Sequence, residues 1–146
     1  MQLRCPHCQK VNRVPAQRLG DSPGCGACGK ELLAGVIELD SAGLQDAIAN
    51  SNTALIVDFW APWCGPCRMF APTFETAARK HGGALLFVKV NTEIEQQAAA
   101  SHQIRSIPTL AVFHGGRETG RVAGALPASQ LEQLIIQVKA QFVSAS

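Results

Sequence analysis

The 146-residue chain contains no tyrosine and only two tryptophans, and it has no long apolar run. Its most apolar stretch, residues 54–60, contains Asp58 and is soon followed by Pro62, so no segment predicts a membrane-spanning helix. No low-complexity tract or internal repeat suggests disorder or a repeat architecture. Residues 1–8 lack the apolar stretch of a secretory signal. We therefore expect a cytoplasmic protein with no membrane partner.

Cysteine, by contrast, is well represented and regularly placed. The six cysteines form three Cys-x-x-Cys pairs, which are Cys5/Cys8, Cys25/Cys28 and Cys64/Cys67. In a secreted protein an even number of cysteines suggests a disulfide framework, whereas in a cytosolic protein this pattern indicates metal binding or redox chemistry. The cysteine pairs are therefore the main guide to function.

The composition and the apolar periodicity of the chain change at residues 32–35. Residues 1–33 are rich in glycine, proline, cysteine and basic residues without sustained periodicity, and we predict a small separate module there. Residues 34–146 alternate apolar runs with amphipathic stretches, which predicts an α/β domain with a mixed sheet covered on both faces. The predicted strands are 36–39, 54–60, 84–90, 109–114 and 117–122, and the predicted helices are 41–50, 66–81 (ended by Gly82-Gly83), 93–102 and 129–143.

The pair Cys64/Cys67 follows a predicted buried strand and opens a predicted helix. Unpaired N–H groups and the helix dipole favour negative charge at that position, so we expect a stabilised Cys64 thiolate with a lowered pKa. Cys67, one turn later, can resolve the mixed disulfide that Cys64 forms. Gly65 and Pro66 separate the two cysteines, and proline suits the first helical turn. Half of a zinc site is the alternative, but a strand-to-helix junction does not suit a zinc knuckle.

Asp58 stands inside the apolar run 55–59, where a carboxylate is costly to bury. Burial would raise its pKa and make it a proton acceptor for Cys67 through a water molecule. Lys89, in the neighbouring predicted strand, is a candidate charge partner. The alternative is an aspartate near the strand end that simply reaches solvent.

Residues 58–67, Asp-Phe-Trp-Ala-Pro-Trp-Cys-Gly-Pro-Cys, are similar to the active-site segment of thioredoxins. Ile107-Pro108-Thr109 resembles the cis-proline loop of that family, and the resemblance extends over about residues 35–143. It implies a thioredoxin fold with five strands and four helices, and a cis Pro108 packed against the disulfide. It also implies an apolar substrate surface, although packing in the core is an equal alternative for Trp60. That surface consists of Trp60, Trp63, Ile107 and Gly124.

The first two pairs, separated by sixteen residues, have the spacing of a four-cysteine zinc site. A segment this short has little core of its own, so metal binding would supply its folding energy. Cys5-Pro-His-Cys8 also matches the active-site tetrapeptide of periplasmic thiol oxidases, and structural disulfides are a further alternative. We expect one structural Zn²⁺ held by Cys5, Cys8, Cys25 and Cys28, with His7 not needed as a ligand.

The whole chain resembles the bacterial thioredoxin 2 type, a zinc ribbon followed by a thioredoxin domain. This resemblance implies a thiol-disulfide oxidoreductase that reduces cytoplasmic protein disulfides and is recharged by an NADPH-dependent thioredoxin reductase. The residues do not indicate an oligomeric state, and a monomer is the default expectation. Residues 1–30 carry five basic groups and one acidic group, a signature of nucleic-acid binding, but four zinc thiolates would offset that charge and we do not expect such a partner. A non-enzymatic adaptor and a thiol oxidase or isomerase are the competing functions.

Overall fold

The computed structural model describes residues 1–5, 7–33, 35–82 and 84–142. The predicted domain start at Ala34, the helix stop at Gly83 and the helix end at Val143 lie outside these residues. The strands and helices are β1 (Gln2–Arg4), β2 (Val11–Arg13), β3 (Val36–Glu38), α1 (Ser41–Asn50), β4 (Leu55–Trp60), α2 (Gly65–His81), β5 (Leu86–Asn91), α3 (Gln96–Ser101), β6 (Thr109–His114), β7 (Arg117–Ala123) and α4 (Ala128–Phe142), with a 3₁₀ helix at Ala16–Asp21.

Five strands form the central sheet in the order β3-β5-β4-β6-β7. β3, β5 and β4 are parallel, whereas β6 and β7 are antiparallel. Buried residues of α1 and α3 lie in one apolar cluster, and those of α2 and α4 lie in another on the opposite face. The predicted mixed sheet with helices on both faces, a thioredoxin fold, is confirmed.

Local chemistry accounts for the helix ends. Asp40 caps α1 because its carboxylate accepts a hydrogen bond from Gly43 N at 2.7 Å. Gly82 is the C-cap residue that follows α2, and its φ is −58°. The left-handed conformation that is common at helix ends therefore does not explain the glycine. A Cβ atom on Gly82 would lie 2.8 Å from Ala78 O, so lack of space requires it instead. α2 continues through Pro72.

The N-terminal segment contains structure that the sequence did not reveal. β1 and β2 pair antiparallel, with Leu3 opposite Asn12. Leu3 and Leu19 are buried in the same apolar cluster as Leu44 of α1 and Val57 of β4. Residues 1–33 therefore share a core with the sheet, and the division at residue 33 stays a prediction. Among the helices of the described residues, none is long and apolar enough to cross a membrane.

Candidate active site and metal centre

Cys64 and Cys67 are joined as a disulfide at the start of α2, with Cα atoms 5.2 Å apart. Cys64 occupies the N-cap position with extended backbone, and its sulfur accepts a hydrogen bond from Cys67 N at 3.2 Å. Gly65 and Pro66 form the first helical turn. The strand-to-helix placement predicted for this pair is thus observed. The sulfur of Cys64 faces the helix N–H groups, which favour a thiolate.

The loop before β6 closes over the disulfide. The Ile107–Pro108 peptide bond is cis, as the resemblance implied, and Cys64 Sγ lies 3.7 Å from Ile107 O. Ile107 and Trp60 pack against the two cysteines. Gly124, with φ of 99°, joins the loop because its N–H donates to Pro108 O at 2.8 Å. One end of the sheet therefore presents an apolar rim and an open peptide backbone around the redox pair.

The two tryptophans differ in exposure. Trp63, directly before Cys64, is 68% exposed. Trp60 is only partly buried, although its Nε1 is enclosed without a hydrogen-bond partner among the described residues. The ring of Trp60 lies under the Lys89 ammonium, 5.4 Å from Nζ to the ring centroid. Trp63 is thus accessible to a binding protein, whereas Trp60 packs against the two cysteines and is only partly exposed.

Asp58 is buried in β4, with 4% of its surface exposed. Burial raises its pKa to about 7, and the positive charge of Lys89 opposes that rise only in part. Its Oδ1 accepts no hydrogen bond from the described residues. Asp58 and Lys89 occupy matching positions on neighbouring strands. The aspartate is therefore a carboxyl group that changes its protonation near neutral pH, not a residue reaching solvent.

The N-terminal pairs lie on two turns with the same hydrogen bonding. Cys5 N donates to Lys10 O and Gln9 N to Cys5 O, at 2.8 and 3.0 Å. In the second turn Cys25 N donates to Lys30 O and Gly29 N to Cys25 O, at 2.8 and 2.9 Å. Both turns require a left-handed residue after the second cysteine, with φ of 67° at Gln9 and 76° at Gly29. The repeated spacing Cys-x-x-Cys-x-Lys is the sequence signal for this pair of turns.

The two turns direct four sulfurs to one point. The sulfurs of Cys5, Cys8, Cys25 and Cys28 all lie within 4.8 Å of one another. Cys5 and Cys28 are 3.7 Å apart, and Cys8 and Cys25 are 3.6 Å apart. A tetrahedral zinc with Zn–S bonds of about 2.3 Å requires sulfurs about 3.8 Å apart. The donor set and its spacing fit zinc, and the predicted four ligands are brought together.

One contact to the sulfur cluster was not predicted. Asn12 Nδ2 donates to Cys25 Sγ at 3.4 Å, while its Oδ1 accepts from Gly26 N at 2.9 Å. Backbone N–H of Cys28, the Asn12 amide and Ala27 N–H lower the pKa of Cys25 to about 6. These donors favour the thiolate that a metal needs. Asn12 lies four residues after Cys8 but thirteen before Cys25, the cysteine that it contacts, so no local motif could have identified this contact.

A strand-to-helix disulfide beside a cis-proline loop defines a thiol-disulfide oxidoreductase, and comparisons with known proteins agree. The family model "Thioredoxin" matches residues 35–137, and the zinc-ribbon model "Thioredoxin 2, N-terminal" matches residues 4–30. The chain therefore belongs to the thioredoxin family, oxidoreductases that reduce protein disulfides, and Cys64 and Cys67 form its redox-active Cys-x-x-Cys site.

Individual relatives differ in how much of the chain they cover. Thioredoxin C-3 of Corynebacterium nephridii is 38% identical over 138 residues, 94% of each chain. Thioredoxin 1 of Nostoc sp. is 42% identical over 98 residues, which are 67% of this chain and 92% of the relative. The crystal structure of a Malassezia sympodialis thioredoxin superposes with a TM-score of 0.64 at 31% identity, covering 68% of this chain and 87% of that one.

Proposed function

We propose that Cys64 is the attacking thiolate and Cys67 the resolving thiol of a protein-disulfide reductase. The observation that carries this assignment is the position of Cys64 at the N-cap of α2, with its sulfur facing Cys67 N. A thiolate is most favoured there, because unpaired N–H groups and the helix dipole stabilise its charge. Cys67 lies one turn inside the helix and is 1% exposed, so an incoming disulfide meets Cys64 first.

The reaction then takes two exchanges. The Cys64 thiolate attacks one sulfur of a substrate disulfide, which forms a Cys64–substrate disulfide and releases the other substrate sulfur as a thiolate. Cys67 loses its proton and attacks Cys64, so the Cys64–Cys67 disulfide forms and the second substrate thiolate leaves. Two electrons pass from the protein to the substrate.

Asp58 is the proposed proton acceptor for Cys67, acting through a water molecule. Its buried carboxyl has a pKa raised to about 7, which matches an acceptor that must take up and return a proton near neutral pH. The oxygen without a hydrogen-bond partner among the described residues is available to such a water.

The substrate would lie across the end of the sheet beside the disulfide. Ile107 offers its backbone to an extended substrate segment, because its carbonyl oxygen lies 3.7 Å from Cys64 Sγ. Exposed Trp63 and the exposed Gly124 flank that segment, and Trp60 supplies an apolar wall. Gly65 leaves room for approach, since nothing lies within 4 Å of a Cβ placed there.

The N-terminal module is proposed to hold one structural Zn²⁺ through Cys5, Cys8, Cys25 and Cys28. A zinc closed by four thiolates supplies folding energy and has no open position for a reacting group. The backbone N–H groups of His7 and Ala27 stabilise the sulfurs of Cys5 and Cys25, at 3.4 and 3.3 Å. The metal would therefore fix the position of residues 1–33 against the shared core.

The partners follow from the chemistry. Substrates are proteins with accessible disulfides, and a flavin- and NADPH-dependent thioredoxin reductase would return the Cys64–Cys67 disulfide to dithiol. Four clustered thiols beside a reductant suit a reducing compartment, so we place the protein in the cytoplasm. We propose a monomer. We do not expect a nucleic-acid partner, because the zinc thiolates would offset the basic charge of residues 1–30.

Trapping the mixed disulfide tests the assignment of roles. Cys67→Ser should accumulate a covalent complex with a model disulfide protein, because Cys64 attacks but nothing resolves the product. Cys64→Ser should form no such complex. Electrophoresis without reductant measures both. Equal trapping by the two variants, or trapping only by Cys64→Ser, would contradict the assignment.

A further inference from the structure

Three charged residues form one row across three neighbouring strands of the sheet. Glu38 of β3 is opposite Lys89 of β5, and Lys89 is opposite Asp58 of β4. Residues in register on adjacent strands project from the same face of the sheet. The row runs from the edge to the interior: the side chains of Glu38 and Lys89 are 53% and 34% exposed, and Asp58 is 4% exposed.

Lys89 is the middle residue of this row, and its ammonium group is attracted by the carboxylates of both Glu38 and Asp58. Its Nζ lies 3.9 Å from Glu38 Oε2, toward the sheet edge, and 5.4 Å from the centroid of the Trp60 ring. Its charge also lowers the pKa of Asp58. Lysine carries a compact charge on a flexible stem, so the ammonium group can shift when one attraction is removed.

We propose that Glu38 is a positioning residue that holds the Lys89 ammonium toward the sheet edge and thereby keeps Asp58 a stronger proton acceptor. The inference rests on the proposed role of Asp58 as the proton acceptor for Cys67. Without the carboxylate of Glu38, Lys89 is free to move toward Asp58, stabilise its charged form and weaken it as a base.

Of the groups on the elements near Asp58, Lys89 is the charged side chain that pairs with Glu38 and also acts on the pKa of Asp58. The Cys64–Cys67 pair at the start of α2, the pair that Asp58 is proposed to serve, does not titrate while oxidised. The neighbouring residue on β6 is Leu110, which is apolar. From the N-terminal hairpin, Arg4 lines the same cleft of about 410 Å³ as Glu38 and Lys89. The N-terminal module therefore borders the outer end of the row, next to Glu38.

The test is the pKa of Asp58 in the oxidised full-length chain, followed by carboxyl ¹³C NMR, with Asp58→Asn identifying the signal. Glu38→Gln should lower that pKa by about 0.5 pH units, and Glu38→Lys should lower it further, because repulsion adds to the lost attraction. Glu75→Gln, an equal charge change on the exposed face of α2, should leave it unchanged.

A double-mutant cycle separates positioning from a direct field effect. Lys89→Met should raise the pKa of Asp58, and adding Glu38→Gln to Lys89→Met should then change nothing further. An unchanged pKa in both Glu38 variants would overturn the proposal. So would a Glu38→Gln shift of equal size with and without Lys89. Because the titration uses the resting disulfide form, its outcome is independent of whether the chain reduces a model disulfide protein.

Discussion

The redox pair and the N-terminal pairs share the spacing Cys-x-x-Cys but differ in the backbone that follows the first cysteine. After Cys64 the chain enters α2, and its sulfur is bonded to Cys67 within the same pair. In the N-terminal pairs the chain turns back through a left-handed residue directly after the second cysteine, and each sulfur lies close to one from the other pair. Helical backbone thus favours a disulfide within a pair, whereas two tight turns gather four sulfurs at the spacing of a metal site.

Exposure separates the two regions in a second way. In the redox pair the attacking residue Cys64 is 5% exposed at the rim of an open surface. In the metal centre Cys5 and Cys25 are buried in the shared core, while Cys8 and Cys28 are exposed. Half of the N-terminal sulfur cluster is therefore anchored in the shared core, whereas both redox cysteines are buried and Cys64 is the more accessible of the two.

The largest effect is expected from removing the attacking sulfur. Cys64→Ser should reduce dithiol-dependent reduction of a model disulfide protein at least about 1000-fold, because no nucleophile remains. Cys8→Ser, in the other kind of pair, removes a proposed zinc ligand and lowers stability, but the protein that remains folded should keep its Cys64-dependent activity. Turnover assays with a matched reductant measure both. Substantial activity in Cys64→Ser would show that another cysteine carries the chemistry.

Next in size is the loss of the metal. Cys25→Ser should lose bound zinc and destabilise the chain by about 5 kcal/mol or more, because metal binding supplies folding energy to a segment that shares the core. Zinc analysis and denaturant unfolding measure the two effects. Ala27→Ser keeps all four sulfurs and serves as the control. Full zinc content in Cys25→Ser would contradict the assigned ligand set.

The buried carboxyl should make stability depend on pH. Asp58 has a pKa raised from 3.8 to about 7, so folding favours its protonated form. That contribution is fully present below about pH 4 and is lost as the pH rises through about 7, which amounts to about 4 kcal/mol. Asp58→Asn should remove this loss and be the more stable protein at about pH 8.

Unfolding of the oxidised protein at several pH values measures this effect. Asp21→Asn is a control, because Asp21 is an exposed carboxylate whose side chain is 63% accessible. A wild-type pH profile identical to that of Asp58→Asn would contradict the burial of an ionisable group in β4.

The smallest expected effect compares the two zinc turns with each other. Gly29→Gln should destabilise by about 1 kcal/mol, because a side chain is strained at φ of 76°. Gln9→Gly, at the matching position with φ of 67°, should stabilise by somewhat less. Denaturant midpoints of the zinc-loaded proteins measure both. Equal signs for the two substitutions would show that the turns are not equivalent.

Elements with many buried residues were predictable from the sequence. The apolar run of β4 and the strands on either side of Gly115-Gly116, where φ is 66° and 86°, have local causes, and the predictions for these strands are confirmed. β1 and β2 were missed because three residues provide no periodicity to detect. α3 begins later than predicted because Asn91 first holds a turn, accepting hydrogen bonds from Glu93 N and Glu95 N.

The features of the two cysteine sites also divide into those with local causes, which the sequence predicts, and those that depend on tertiary structure. Cys64 at a helix start and four cysteines at metal spacing could be predicted, because the chemistry depends on local backbone and spacing. The cis bond at Pro108 came only from resemblance to a family, since no local argument requires it. The contact of Asn12 with Cys25 and the row through Glu38 depend on tertiary register, which residue patterns along the chain do not contain.

The most direct test of the different roles of the cysteine pairs is zinc content and free-thiol count on protein purified without added metal or chelator. The account predicts about one zinc per chain. It also predicts that Cys64 and Cys67 alone cycle between thiol and disulfide. No zinc, together with a second reducible disulfide among the N-terminal cysteines, would contradict it, because identical spacing would then carry identical redox chemistry.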